Sequence, residues 1–389
     1  MINSDYLIMG NHVIKRDGSK IIKANFDILD YKNNVLIKEK LMNAGILSSD
    51  KDHLAEDLHT NLVIKENHIF NNMRLFIQIT NKCNLKCKHC YAESSFDEQD
   101  EIQFEDVINI LDEAIDLGIW RIDFTGGEIF LKDYFYDVLE YIKFKPISSL
   151  IFTNLTLLND NNIDSIIRNP AIREIITSID YFSADKHNEF RGGIDAFSKT
   201  LNNVNKLNNE GKKVTVNTMV LNDNHDDILE MINYFIPKGI DMHFDTVINC
   251  GRAKCYKEDR FNQDKENVNF IASCAGRIQK LKNHKYNSID SISCGVGENL
   301  IFLNNHNRFQ VCPGINENVG MKYYLGNHII EAYHNLKKLN LNCDVKHCKY
   351  YEKCSYGCKM RSMLYHNSIN GPDDVICYFN RIKEEKLNV

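Results

Sequence analysis

At 389 residues the chain exceeds one ordinary domain, which predicts one large domain with smaller additions. A hydrophobic content of 43%, with 20 Phe and 18 Tyr, supports a sizeable core and excludes a disordered chain. The formal charge of −6, from 47 basic and 53 acidic residues without a basic block, argues against nucleic acid and anionic membrane as partners.

Met1 to Gly18 has no apolar run behind a basic end, and no later stretch is apolar enough to span a bilayer. A cytoplasmic chain is expected. Residues 1–70 read as a small α+β unit: His12–Ile22 alternates around Asp17-Gly18, a hairpin signal, and Asp30–Ala44 reads as a short helix stopped at Gly45. From 71 to 255 strands and helices alternate. The strand candidates are Leu75–Thr80, Arg121–Thr125, Leu150–Asn154, Glu174–Asp180, Lys213–Val220 and Met242–Ile248, with helices such as Phe104–Leu117 and Ala196–Asn209 between them. Repeated strand–helix units predict a parallel sheet. The fold class is therefore α/β, a partial (β/α)6 TIM-like barrel with ligands at the strands' carboxyl ends. Residues 256–289 form a polar helical bridge, 257–288 being the helix. Within 290–389, Asn299–Cys312 reads as a hairpin turning near Asn304–Asn307, and beyond Asn340 short loops between cysteines predict a segment held by bound metal.

Thirteen cysteines are unusual for a cytosolic chain, where disulfides are rare and metal or redox chemistry is the better use. Three follow the first barrel strand as Cys83-x3-Cys87-x2-Cys90, with Tyr91 next. Three thiolates on one tight loop ligate three irons of a [4Fe–4S] cube and leave the fourth iron open, which marks a catalytic cluster. A closed zinc site wants four ligands and usually a second knuckle, which is not adjacent. His89, Lys86 and Lys88 read as solvated loop residues.

Cx3Cx2C followed by an aromatic resembles the signature of the radical S-adenosylmethionine (SAM) superfamily. The likeness extends to Gly126-Gly127-Glu128 after the second strand. In that family this segment receives the amino group of SAM: the glycines allow close backbone approach, and Glu128 offers an acceptor. Ser178 at the end of the fourth strand, and Arg191, would contact the methionine carboxylate. Thr153, Asn154 and Asn217 end later strands and would face the same cavity, and Gly251-Arg252-Ala253 recurs in relatives without a sharp role. The resemblance implies that SAM chelates the open iron, that one electron from the cluster cleaves it, and that the 5′-deoxyadenosyl radical takes a hydrogen atom from the substrate.

The later order, Cys294-x17-Cys312, then Cys343, Cys348, Cys354 and Cys358, then Cys377, resembles the SPASM extension of radical SAM peptide modifiers. The likeness implies an auxiliary cluster I on Cys294, Cys312 and Cys358, its fourth position filled by Cys250, Cys255 or Cys274 or left open. Auxiliary cluster II would use Cys343, Cys348, Cys354 and Cys377, for three [4Fe–4S] clusters in all. A pair of zinc knuckles is the competing use. Two departures stand out: Cys343-x4-Cys348 replaces the usual CxxC, and Asn307 replaces a turn glycine whose left-handed conformation Asn tolerates.

The implied activity is modification of a ribosomally made precursor peptide or protein by cross-link, thioether or oxidation, with an electron donor such as flavodoxin or ferredoxin. Residues 1–70 would dock a leader peptide by strand addition or cap the barrel. The alternatives are sulfatase maturation, against which Pro313 stands where those enzymes place Asp, dehydrogenation of a small alcohol, and a non-enzymatic electron carrier.

Overall fold

The computed structural model describes residues 5–9, 12–17, 20–24, 35–44, 46–47, 62–67, 69–160, 162–255, 260–282, 295–315, 323–345, 347–351, 354 and 357–387. The first unit has three antiparallel strands, β1 (Tyr6–Met9), β2 (His12–Lys15) and β3 (Ile21–Lys23), in the order β1-β2-β3, with helix α1 (Val35–Asn43). The hairpin expected over His12–Ile22 is the β2–β3 pair, with Val13 opposite Ile22. The cap at Gly45, the start of the predicted helix at Asp30 and the turn at Gly18 lie outside the described residues.

The barrel follows. Its strands are β4 (Arg74–Gln78), β5 (Arg121–Thr125), β6 (Ser149–Phe152), β7 (Ile172–Ser178), β8 (Val214–Val220) and β9 (Asp241–Thr246), all parallel neighbours in sequence order. Helices α2 (Phe104–Leu117), α3 (Phe135–Lys143), α4 (Asp164–Ile167), α5 (Ala184–Arg191), α6 (Ala196–Asn209) and α7 (His225–Phe235) lie between them. In α2 the Asp106 carboxylate accepts the Gln103 N–H at 2.8 Å, opening the helix, and Val107, Ile110, Leu111 and Ala114 form its buried stripe. Alternate strand residues Ile175, Val216 and Met242 are sealed against the helices, so Ser178, Asn217 and His243 share the opposite, half-buried face. Four strands end two residues earlier than predicted, and at three of them Thr80, Asn154 and Asp180 turn their side chains to Asp100, Asn84 and Arg191.

The helix expected over 257–288 is α8 (Arg260–Lys282). The predicted C-terminal hairpin is β10 (Leu300–Leu303) with β11 (Phe309–Gln310), and Asn307 at its turn has φ 56°, the left-handed value anticipated for it. Sequence pattern did not show where this hairpin goes. β10 pairs parallel to β4, Leu300 opposite Arg74, and β12 (Tyr324–Gly326) follows β11, so the sheet runs β12-β11-β10-β4 and onward to β9. The barrel's first edge is thereby paired rather than open. Helix α9 (Ile329–Lys338) comes next. The expectation of mere loops beyond Asn340 is corrected by α10 (Lys359–His366) and α11 (Asp374–Leu387). Val375, Ile376, Phe379 and Ile382 give α11 a buried face, while Tyr378 and Tyr365 bond to Asn269 and Asp264 of α8.

The first unit sits beneath the barrel. Arg16, 2% exposed, donates to the carbonyl of Lys143 at 3.2 Å and to that of Lys145 at 2.7 Å, so a cation meets the negative end of α3. The Ser148 hydroxyl donates to the Arg16 carbonyl, and Trp120 packs on Leu7, Ile8, Val13 and Ile14. Trp120 and Ser148 precede β5 and β6, so this contact lies at the strands' amino ends.

Candidate active site

β4 runs into the cysteine loop at the barrel's carboxyl end. The loop has no regular structure, so its backbone groups need partners from elsewhere. The Gly127 N–H donates to the Thr80 carbonyl at 2.9 Å and the Glu128 N–H to Lys82 at 2.8 Å. A Cβ on Gly127 would lie 2.3 Å from the Lys82 oxygen, so the glycine permits β5's end to lie against the loop. The Cys83 N–H bonds Ser95 at 3.0 Å, while Lys86 and Lys88 donate to the carbonyls of Arg191 (3.0 Å) and Phe190 (2.9 Å) at the end of α5. Asn154 Nδ2 reaches Asn84 at 3.0 Å.

The fourth grip comes from Gly251-Arg252. Arg252 Nε donates to the Cys87 carbonyl at 2.8 Å, Nη1 to Ser94 at 2.8 Å, and its backbone N–H to Cys90 at 3.0 Å. A Cβ on Gly251, at φ 56°, would lie 2.4 Å from the carbonyl oxygens of Cys90 and Tyr91. These contacts explain the motif that had no role by sequence reading.

The three thiols are thus presented together. Cys83 and Cys87 are 8% and 9% exposed, Cys90 is half-buried, and Leu85 and Ala196 pack among them. Burial pushes the Cys83 thiol up to about 12 and raises Cys87 as well, against the lowering effect of Arg191. Such thiols become thiolates when a cation binds, so the donor set fits an iron–sulfur cluster. Among the described residues no three His, Cys, Asp or Glu side chains converge on one metal ion. Thiolates on separate irons of a cube need no such convergence.

Arg191 lies within this shell. Its Nε and Nη2 both reach Asp180 Oδ2 at 2.6 Å, and Nη1 is 3.8 Å from Cys87 Sγ. Asp180 is fully enclosed; burial works against its charge, but Arg191 outweighs this and holds the carboxyl below its usual range. The carboxylate that Arg191 clamps here is the protein's own, which sequence reading missed. His89, expected to be solvated, is instead stacked on Phe190 with centroids 4.8 Å apart, and burial and then Arg191 lower its pKa to about 4. Lys86 and Lys88 are exposed as expected.

Glu128 is 0% exposed. Its oxygens accept from Thr153 Oγ1 (2.8 Å), Asn154 N (2.7 Å) and Phe130 N (3.2 Å), and burial pushes its pKa up to about 7. Its carboxylate braces the ends of β5 and β6, so the backbone of Gly126 and Gly127 is what this segment offers to a ligand. Ser178, Asn217 and His243 form one row across β7, β8 and β9, Ser178 opposite Asn217 and Asn217 opposite His243. Only His243 of the three was missed by sequence reading; its in-register place was the missing signal. Tyr91 is 41% exposed.

The C-terminal thiols gather in part. Partial desolvation, then the negative potentials of Asp373 and of the Cys343, Cys348 and Cys354 thiols, push the exposed Cys377 up to about 12. These are the four cysteines expected to share one cluster. Cys312 Sγ accepts the Gly314 N–H at 3.3 Å, and Cys358 caps α10. Cys294 and the side chain of Cys255 lie outside what is described. Cys250, 5% exposed, is pushed up to about 11 by burial and then by nearby Cys90, whereas Cys274 is sealed on α8.

An open parallel barrel whose first strand delivers two buried thiols and a half-buried third at its carboxyl end fits a metal-cluster protein of the α/β class. Residues 77–235 match the Radical SAM superfamily. That superfamily implies SAM and a [4Fe–4S] cluster for the matched segment. A GTP 3′,8-cyclase of Clostridium perfringens (strain SM101 / Type A) is 27% identical over 188 residues, 47% of this chain and 58% of that protein. The subtilosin biosynthesis protein AlbA of Bacillus subtilis (strain 168) is 30% identical over 156 residues, 40% of this chain and 34% of AlbA. The chain therefore spans 58% or less of these relatives. Among solved structures, Streptococcus suis SuiB bound to precursor peptide SuiA has a TM-score of 0.63 at 16% identity, over 97% of this chain and 99% of SuiB. Native anSMEcpe with bound AdoMet has a TM-score of 0.64 at 17% identity, over 81% of this chain and 97% of that one. Both share the fold.

Proposed function

We propose that this radical SAM enzyme modifies a ribosomally made peptide or protein, installing a cross-link, a thioether or an oxidation. The observation that carries the reading is the loop of Cys83, Cys87 and Cys90, gripped from four sides at the carboxyl end of an open barrel. A [4Fe–4S] cluster with SAM bound to it supplies a carbon-centred radical. The chain's own part is to bind and orient. Gly126 and Gly127 would offer backbone groups to the SAM ammonium, and Ser178 and Arg191 would hold its carboxylate. Tyr91 contributes a wall, and the row from Ser178 to His243 faces the substrate.

In this reading residues 71–255 are the catalytic barrel, 256–289 the bridge, and 290–389 a SPASM-like unit with clusters on Cys294, Cys312 and Cys358 and on Cys343, Cys348, Cys354 and Cys377. A peptide substrate is supported by likeness to a structure that binds its precursor peptide and covers nearly the whole chain. The GTP 3′,8-cyclase matches cover between 47% and 65% of it. Anaerobically reconstituted protein, reduced by dithionite or flavodoxin, is expected to convert SAM to 5′-deoxyadenosine. Intact clusters without that product would leave an electron carrier as the answer.

The first unit serves as a leader-peptide dock. The β1 edge is taken, since the Ile64 N–H donates to the Ile8 carbonyl at 2.7 Å and the Ile8 N–H to the Leu62 carbonyl at 3.1 Å around a bridge to Val63, which among the described residues leaves β3 as the edge for strand addition. Ile21 on β3 is 63% exposed. Ile21→Asp is expected to weaken binding of a fluorescent precursor peptide about fivefold or more while leaving uncoupled SAM cleavage unchanged. Equal affinity would assign the unit to shielding the barrel's underside.

A further inference from the structure

Beyond the two cysteine sites themselves, one short stretch of chain touches both. It runs from the end of β9 to the loop after it, residues 245–252. At its start Asp245 Oδ1 accepts from Arg361 Nη2 at 2.7 Å, and Thr246 accepts from the same nitrogen through Oγ1 at 3.0 Å and its carbonyl at 3.2 Å. Arg361 is 2% exposed and also faces Asp373, with Nη1 3.5 Å from Oδ2. Asp373 in turn accepts the Cys358 N–H at 2.8 Å, and its own carbonyl accepts the Cys377 N–H at 2.9 Å. At the other end of the stretch Arg252 holds the carbonyls of Cys87, Ser94 and Cys90.

A buried guanidinium between two carboxylates is a stiff joint. Its planar fork fixes direction as well as distance, and removing one partner leaves a charge stranded in the interior. We infer that residues 245–252, with Arg361 at one end and Arg252 at the other, form a brace that sets the position of the first cysteine loop relative to the C-terminal cysteines. Arg252 and Arg361 are positioning residues. Each holds backbone of a cysteine segment, directly or through Asp373, and neither is itself a ligand. The brace gives the reaction a fixed spacing between the radical-forming site and the C-terminal thiols. This inference rests on the iron–sulfur reading of both sites.

The test uses full-length protein reconstituted without oxygen. Asp245→Asn removes the charge at the barrel side of the joint, at a residue whose side chain is 39% exposed, and is chosen over Arg361→Met, which would strand two carboxylates around a position whose side chain is 3% exposed. Two readouts are taken: the rate of iron loss to a ferrous chelator, and the electron paramagnetic resonance spectrum of the reduced first cluster with and without SAM. Removal of such outer contacts typically costs about 10- to 100-fold in metal affinity. Asp245→Asn is expected to speed iron loss from the C-terminal sites about 10-fold and to alter the SAM-dependent change at the first cluster. Arg252→Met does the reverse, loosening the first cluster most, and Arg252→Lys restores part of the loss. Arg277→Met, on the exposed face of α8, changes neither readout. If Asp245→Asn leaves both the C-terminal iron and the first cluster's response to SAM as in the parent protein, the brace does not exist. If the parent protein binds zinc and no iron, the functional reading fails first.

Discussion

Cys87→Ala is expected to remove about four irons per chain, one cluster's worth, and to reduce 5′-deoxyadenosine to the background of SAM breakdown. The loop offers three thiols, the fewest that can anchor a cube and leave one iron open. Cys87 is the most constrained of them, with Arg191 Nη1 3.8 Å from its sulfur and Arg252 on its carbonyl. Alanine there leaves the guanidinium without its sulfur acceptor and the cube with two ligands. Cys274→Ala is the matched control. That thiol is also buried, on the α8 face packed against the core, and its loss is expected to cost stability and no iron. Iron analysis and product chromatography read both. Undiminished iron in Cys87→Ala would end the cluster assignment.

Arg191→Leu has the second largest expected effect, and it shows in pH dependence as well as magnitude. Breaking a buried ion pair by removing one partner costs about 3–5 kcal/mol, because the remaining charge is stranded. Asp180, enclosed and with Arg191 as its ion-pair partner among the described residues, is that charge. In the parent protein its lowered pKa means its stabilising effect is present at neutral pH and lost only below about 3.8. His187, lowered to about 4 by burial and then by Arg191, is neutral in the folded state and charged in the unfolded one below 6.5. The parent apoprotein is therefore expected to lose stability as pH falls from 6.5 toward 4. In Arg191→Leu the signs change. Asp180, buried without its partner, binds a proton more tightly folded than unfolded, so falling pH stabilises the fold, and His187 is freed of a repelling charge. Denaturant midpoints at pH 7.5 and pH 5 should show a gap between the two proteins that narrows at the lower pH. A constant gap would mean that the pair has no electrostatic part in stability.

Much of the fold was legible in the sequence because the signals are local. All six barrel strands and helices such as Phe104–Leu117 follow from apolar periodicity. The turn at Asn307 follows from one residue's tolerance of positive φ. Helices α10 and α11 were missed, although Val375, Ile376, Phe379 and Ile382 carry a helical spacing, because dense cysteines between 343 and 377 drew the reading toward loops. Strand ends were overrun at Ile248 and, with a polar residue in each case, at Thr80, Asn154 and Asp180. Each of those three polar residues serves a contact that no local pattern announces.

For the candidate site the division is sharper. Spacing alone determined that Cys83, Cys87 and Cys90 sit on one loop, that Gly126 and Gly127 end the next strand, and that an arginine lies within reach of the fourth. Covalent separation of a few residues constrains those relations whatever the rest of the chain does. Tertiary structure decided what each group holds: Arg191 its own Asp180, Glu128 the end of β6, and Arg252 a carbonyl 165 positions away. Charge pairing and burial depend on which surfaces the packed barrel brings together, and that choice is made over the whole chain at once.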